Sequence, residues 1–463
     1  MAPAPGRAWT PPSTTTAAAT PAAAPPSAPV QLPPDIADRV QHLTLDDVVD
    51  IALRNNPVTQ ASWATARAAA DLYQAEKGAY YPTVDAQVNA TRIKTTSTQG
   101  RSAVLQTTYQ PSVSLSWLLF DFGGRGSSVS VARNALLAAD FTHNAVLQSV
   151  VLQVETAYFN YLATRALREA QLASVRDAQA NLAAAEERRQ VGVATIADVL
   201  QARTALSQAQ LALETVEGDL QTTRGALAVS MGLPANVPYD IDVTAAPPPV
   251  SIVADSVDAV IAAAVANRPD LAAARAQAQE AAARVGVARA ERLPALELTG
   301  NGGRTYLSRR GSAGNNYTFT LGVRIPLFAG LSRMWTQRAE SDLAAAAQAD
   351  AATLQQQVIF QVFSSYYALQ TAVRRVHTAD DLLASAQQNE EVASGRYRAG
   401  VGSILDLLNA QSALADARAQ QVQARWVWQT ALAQLAHDAG VLGERGEMPF
   451  RMVPDTIPER PPR

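Results

Sequence analysis

The chain writes one phrase twice, VGVATIADVLQARTAL at 191–206 and AGVGSILDLLNAQSAL at 399–414. Eight of the sixteen positions are identical, and the copies lie 208 residues apart. Each copy places a glycine (Gly192, Gly400) six residues before an aspartate (Asp198, Asp406). Glycine supplies a sharp turn at no steric cost, and an aspartate shortly after a turn suits the positive end of a new helix. A turn into a helix is therefore written twice.

Working outward, the echo extends over most of the chain. ALRNNP ending at Pro57 matches AVANRP ending at Pro269, an offset of 212 that also carries Pro82 to Pro294 and Arg92 to Arg304. Further on the offset becomes 208, which pairs WLLFDF through Phe120 with IPLF through Phe328, AYFNY with SYYAL, and Gly232 with Gly440. Residues 43–232 and 255–440 are thus two copies of one unit. At roughly 190 residues the unit is far longer than a solenoid repeat. Around the copies lie a Pro/Ala-rich segment (1–42), a Pro-rich connector (233–254) and a Pro-rich tail (441–463). Ten prolines fall within 1–34, a composition that favours extended or disordered chain. That segment lacks the charged and apolar regions of a secretory signal, so no signal peptide is expected within this chain.

Each copy has the same internal order. The sequence predicts a leading helix of about 23 residues over 58–80 and 271–293. Two segments of period two follow. In one, Val84, Ala86, Val88 and Ala90 alternate with Thr83, Asp85, Gln87 and Asn89; in the next, Val113, Leu115, Trp117 and Leu119 alternate with serines. The second copy gives ALELTG and then YTFTLGVRIPLF, with the same alternation through Phe319, Leu321, Val323 and Ile325. Such patterns predict strands with one apolar and one polar face. Runs without Gly or Pro come next, at 127–191 and 331–394, each about 97 Å long as a helix. The repeated phrase then turns the chain into helices predicted over 193–231 and 403–439. Leading and trailing helices stacked end to end nearly match the one long helix, so the phrase becomes the tip of a long helical hairpin.

Composition narrows the function. Net charge is −3, which argues against nucleic acid as a partner. No run reaches about 18 consecutive apolar residues, so no membrane-spanning helix is expected. There is no cysteine, which removes disulfides and thiolate chemistry. Four histidines (His42, His143, His377, His437) are scattered without metal-ligand spacing, and no phosphate loop or nucleophile elbow appears. No metal, cofactor or enzymatic activity is called for. The four strands, however, need partners, because open edges invite aggregation in water and are forbidden in lipid. Membrane barrels begin at about eight strands, so four strands per chain call for other subunits; three chains would supply twelve.

The duplicated order of helix, paired strands, long helix, Gly-turned tip and helix resembles the outer-membrane efflux protein family, the TolC type. The phrases at 191 and 399 resemble its tips, and LFDFGGR and PLFAG its strand-to-helix corners, over roughly 43–445. The resemblance implies a mainly α fold with a membrane β-barrel: a homotrimer with a 12-stranded outer-membrane barrel and long antiparallel helices forming a periplasmic α-barrel, belted by the connector and tail. It implies an exit duct for small molecules, working with a periplasmic adaptor protein and an inner-membrane transporter. A duct for protein secretion is the alternative, and a soluble periplasmic coiled-coil scaffold the rival outside the membrane. By position the resemblance makes Asp406 the acid of a periplasmic gate, with Asn409 where a second acid often sits and Asp198 and Gln201 as first-copy counterparts. Gly402 stands where some relatives carry a latching Arg. A ring of Asp406 carboxylates would favour cations; the plainer reading, helix capping, is preferred for Asp198, and the gate for Asp406. Gly192, Val193, Gly400, Val401 and Ser403 would dock the adaptor. Arg92, Lys94, Arg101, Arg304, Arg309 and Arg310 form an outer basic rim suited to lipopolysaccharide phosphates. Tyr80, Tyr81, Tyr109, Trp117, Tyr306 and Tyr317 suit interfacial girdles, whereas Tyr158, Phe159, Tyr366 and Tyr367 suit helix packing.

Overall fold

The computed structural model describes residues 42–96, 103–242, 250–253, 255–307, 313–442 and 452–454. The N-terminal Pro-rich segment, Arg101, Arg309, Arg310 and most of the tail lie outside them.

In the first copy, α1 (Leu45–Asn55) and α2 (Pro57–Lys77) lead into β1 (Thr83–Thr96) and β2 (Ala103–Phe120), then α3 (Gly124–Gln190) and α4 (Ile196–Ser230). The connector contributes β3 (Ser251–Val253). The second copy repeats the order as α5 (Val257–Asn267), α6 (Pro269–Ala290), β4 (Ala295–Leu307), β5 (Ala313–Arg324), α7 (Ser332–Arg398) and α8 (Ile404–Asp438), and β6 (Met452–Pro454) lies in the tail. Both α3 and α7 run for 67 residues, about 100 Å.

The leading segment differs from expectation. Two helices stand in each copy where the sequence predicts one, and the second ends at Lys77 or Ala290, three residues early. The break is X-Pro. Asn56 (φ −66°, ψ 124°) and Arg268 (φ −64°, ψ 119°) are extended because the following ring excludes the helical region. Pro57 and Pro269 then open α2 and α6 at the first helical position, where a missing N–H costs nothing. Thr44 and Asp47 form a capping box at the start of α1.

The strands form one antiparallel sheet in the order β1-β2-β4-β5. Ala86 lies opposite Val113 within the first copy, and Leu298 opposite Leu321 within the second. These pairs are related by the sequence offsets 212 and 208, so the duplication holds at single-residue register. The copies join through β2 and β4, where Val113 faces Gly302 and Leu115 faces Gly300. One face of the sheet carries Val84, Ala86, Val88, Val113, Leu115, Leu298, Phe319 and Leu321, and the other carries Asp85, Gln87, the β2 serines, Glu297, Thr299 and Arg324. The apolar face is bare in the chain: Val88 is 75% and Phe319 74% exposed. β1 and β5 are edges with no partner among the described residues.

Below the sheet the helices lie side by side. α3 packs against α2 and α4 on one flank and against α6 and α8 on the other, and α7 closes the far side against α6 and α8. The end-to-end stacks of α2 on α4 and of α6 on α8 thus alternate with the unbroken α3 and α7, as their lengths suggested. One stretch of α3 is long and apolar enough by composition to cross a membrane, contrary to the sequence expectation. Midway, α1 packs on α3 and α5 on α7. Here lie the two main cores, one around Val48, Val150, Leu227 and Met231, the other around Val260, Val358, Trp428 and Leu435. β3 pairs with β6, which ties the connector to the tail.

Candidate functional site: the hairpin tips

The two repeated phrases form the far tips of the helical hairpins, and both use one local solution. The α3 helix ends with Gly192 at φ +80°, the Gly192 N–H donating to the Arg189 carbonyl (3.0 Å) and the Val193 N–H to the Arg188 carbonyl (2.9 Å). At α7 Gly400 has φ +77°, with bonds from Gly400 to Tyr397 (3.1 Å) and from Val401 to Arg396 (3.0 Å). This is the Schellman arrangement, which fills the orphan carbonyls at a helix end and needs a left-handed residue there. A capping box follows each turn. The Asp198 N–H donates to Thr195 Oγ1 (3.2 Å) while the Thr195 N–H donates to Asp198 Oδ2 (2.7 Å). Asp406 and Ser403 do the same at 3.1 and 3.4 Å. Both aspartates therefore cap their helices. The Asp406 bond to the Ser403 N–H is the longer one, and Asp406 remains exposed, which leaves its carboxylate freer than that of half-buried Asp198.

The predicted residues fall into separate settings. Gln201 and Asn409 line one groove between α4 and α8, among Leu200, Thr204, Leu405 and Leu408. Asp406 and Asn409 also line a shallow pocket on the other side of α8, shared with Arg396 and Gly402. Asn409 thus borders both, whereas Asp198 borders neither. Val193 and Val401 stand out at the extreme tips, 68% and 70% exposed. Gly402 is tight: a Cβ there would sit 3.0 Å from the Arg396 Cβ and 3.1 Å from the Tyr397 nitrogen, so a larger residue requires the tip to shift.

One contact was not singled out in the sequence. Arg188, in the last turn of α3, donates through Nη1 to the Tyr397 carbonyl at 2.7 Å and places its guanidinium 4.5 Å from the Tyr397 ring centre. Tyr397 is buried with Ala185, Val199, Ala202, Ile404 and Leu407, a small core drawn from both tips. The Arg188 bond and this core hold the first tip to the second. The signal was present, because Arg188 and Arg396 occupy equivalent places under the 208 offset. Above the tips, Asn181 bonds Gln411, and Gln421 bonds Asp380 (2.8 Å). Asp380 also pairs with Arg425 at 3.6 Å.

Toward the middle, the two helix-stack joints differ. In the first, Asn56 Nδ2 donates to the Ser230 carbonyl (3.2 Å). In the second, buried Arg268 clamps Asp270 through two bonds (3.0 and 2.6 Å) and reaches Gln361 (2.7 Å) on α7. Burial alone would raise the Asp270 carboxyl, but hydrogen bonding and charge pairing with Arg268 outweigh it and hold it below the ordinary value. From α3, Gln148 Nε2 donates to the Gly440 carbonyl at 2.8 Å and seals this second joint. Glu155, near the first joint, is pushed up to about 7 by burial and by the negative charge of Asp46.

Elsewhere, Tyr158 and Tyr366 are buried packing residues, whereas Tyr367 is 45% exposed on the outer side of α7. The girdle tyrosines Tyr81 and Tyr317 are 72% and 80% exposed, and Trp117 Nε1 bonds the Tyr80 carbonyl at 3.0 Å. Arg92, Lys94 and Arg304 lie exposed on β1 and β4.

Comparison with known proteins adds an independent line. Residues 48–233 and 260–441 match the family model described as outer membrane efflux protein. The chain is 29% identical to Protein CyaE of Bordetella pertussis over 89% of this chain and 86% of that protein. It is also 29% identical to the pyoverdine export outer membrane protein OpmQ of Pseudomonas putida over 82% of each. A crystal structure of a membrane protein from Pseudomonas aeruginosa superposes with a TM-score of 0.77 at 22% identity, covering 87% of this chain and 95% of that one, so the fold is shared.

Proposed function

The chain belongs to the outer membrane efflux protein family, and from that premise we propose that it is the outer-membrane exit duct of a tripartite pump, carrying small molecules from the periplasm to the exterior. The observation that carries this reading is the sheet: four strands with an exposed apolar band on one face, through Val84, Val88, Val113 and Phe319, a mostly polar opposite face, and two edges that have no partner among the described residues. Each backbone group left unpaired in hydrocarbon costs several kcal/mol, so the sheet is stable in lipid only when closed by further copies. Three copies give twelve strands with the apolar face toward lipid and Asp85, Glu297 and Arg324 toward a polar lumen. The basic strand ends at Arg92, Lys94 and Arg304 then meet lipopolysaccharide phosphates.

The helices continue that lumen into the periplasm and bring six tips together. Asp406 sits on the mouth of this duct as its acidic ring, with the Arg188–Tyr397 contact as the latch within each chain. The bare tips at Val193 and Val401 are the docking surface for a periplasmic adaptor, which links the duct to an inner-membrane transporter. Export of a small molecule is supported by the pyoverdine export relative. Electron microscopy of the detergent-extracted protein provides the test. Helices of about 100 Å with a barrel band of about 25 Å give a three-fold tube roughly 120–140 Å long. Short rods or monomers would refute the duct.

A further inference from the structure

The two strand-to-helix corners are equivalent under the 208 offset and differ in how they hold one arginine. At the first corner the guanidinium of Arg125, at the start of α3, is surrounded by partners. Its Nη1 donates to the Leu118 carbonyl and its Nη2 to the Leu119 carbonyl (2.9 Å). Its Nε lies 3.5 Å from Asp121 Oδ2, and the group stacks 5.0 Å from the centre of the Tyr80 ring. The same offset brings Arg333 to the second corner, where every partner has changed. Ala329 stands in place of Asp121 and Pro326 in place of Leu118, and the 212 offset puts Arg292 in place of Tyr80. The strand carbonyls are lost as well. β5 stops at Arg324, whereas the counterpart of the β2 end is Phe328. Pro326 cannot donate to a ladder, and beyond it Leu327 and Phe328 stand out, 91% and 81% exposed.

Arg333 Nη1 is consequently buried with no hydrogen-bond partner among the described residues. A charged donor left in that state is destabilising until an acceptor reaches it. The side chain lines a cavity of about 160 Å³, together with Arg324, Leu118, Val287, Leu293 and Pro326. Leu118 lies opposite Glu297, and Ala295 of the same cavity opposite Arg324. The cavity therefore opens on the polar face of the sheet, at the end where the helices begin. Two carboxylates also border it. Asp121 is committed to Arg125, accepting from its backbone N–H and pairing with its Nε. Glu291 is exposed and opposes an anion, while Arg324 is paired with Glu297 at 3.3 Å. Arg333 remains the group that lacks an acid.

We propose, resting on the duct reading, that this corner binds the carboxylate of a small acid with an apolar body, and so contacts anionic cargo on the wall of the lumen. The first copy shows the chemistry that the arginine takes: there the carboxylate is built in as Asp121. A guanidinium meets a carboxylate through two parallel N–H bonds, which are stronger than neutral ones. Leu118, Val287, Leu293 and Pro326 then cover the ring or chain of the acid, the usual division of labour in a small-molecule site. Exposed Glu291 keeps the affinity low. A contact inside a duct must be weak enough for the cargo to leave.

Fluorine NMR of para-fluorobenzoate with the detergent-extracted protein tests the site. The resonance of the acid should broaden on adding protein, and that of neutral para-fluorobenzamide, which meets the same micelles, should broaden much less. Arg333→Gln should weaken binding of the acid by roughly 10- to 100-fold, the worth of a charge-assisted hydrogen bond. Its melting temperature should stay near the parent's, because Arg333 Nη1 bonds nothing in the chain. Ala329→Asp restores the acid of the first copy. It should abolish binding while raising the melting temperature, so that the loss cannot be laid to misfolding. Parent-like binding in both variants, equal broadening of acid and amide, or displacement by inorganic phosphate as effective as by unlabelled benzoate would overturn the assignment. Binding is read without transport, so the two readings fail separately. Broadening by a protein that forms no tube would keep the carboxylate site and overturn its role in cargo; no broadening by a three-fold tube would sink the site alone.

Discussion

Replacing Arg188 by alanine tests whether the contact between the two tips keeps the duct shut. The guanidinium makes one charge-assisted hydrogen bond to the Tyr397 carbonyl (2.7 Å) and stacks on its ring (4.5 Å). A hydrogen bond of that type contributes about 1.5–3 kcal/mol, and a half-exposed cation–π contact about 0.5–1 kcal/mol. Together they hold the tips by roughly 2–4 kcal/mol, which is a factor of roughly 30 to 900 in the ratio of closed to open tips. In planar bilayers Arg188→Ala should therefore raise both open probability and mean conductance, by far more than the scatter between single channels. Tyr397→Leu removes only the ring and should produce the smaller part of the change. Arg188→Lys keeps a charge without the planar fork and should fall between alanine and the parent. If a trimeric Arg188→Ala protein conducts as the parent does, the tip contact is packing alone and the latch is wrong.

Two further outcomes follow from the same geometry. Asp198→Asn and Asp406→Asn each weaken an equivalent capping box and should lower stability alike, by about 0.5–1 kcal/mol; only Asp406→Asn should reduce cation preference in bilayers, and equal selectivity in both would make Asp406 a cap and no more. Glu155 holds its proton more tightly when folded, with its value raised to about 7 from 4.5, so stability is full below about pH 4.5 and falls as pH rises toward 7. Above that the burial penalty is on the order of 3 kcal/mol. Glu155→Gln should consequently raise the melting temperature at pH 8 and leave it nearly unchanged at pH 4.5, and a shift of equal size at both would show that Glu155 is ionised without penalty.

Much of the fold is legible in the sequence because its signals are periodic and written twice. Alternation at Val84–Ala90 and Val113–Leu119 marks the strands, since a residue's face in a sheet follows from its parity alone. The long runs free of Gly and Pro mark α3 and α7, because nothing in them stops a helix. The glycines of the two phrases mark the tips, because only a left-handed residue closes a Schellman turn. Other features needed the tertiary structure. The breaks at Asn56 and Arg268 were visible only as X-Pro, a signal of boundary and not of what lies beyond it, so α1 and α5 were missed. That Arg188 reaches Tyr397, that Arg268 fills its joint where Asn56 fills the other, and that Gln201 and Asn409 share a groove all depend on which helix flanks which. Such neighbours lie 93 to 209 residues apart along the chain, and a single sequence carries no distance between them. The repeat offsets tell which residues are equivalent; only the packing of α3 against α6 and α8 shows what that equivalence joins.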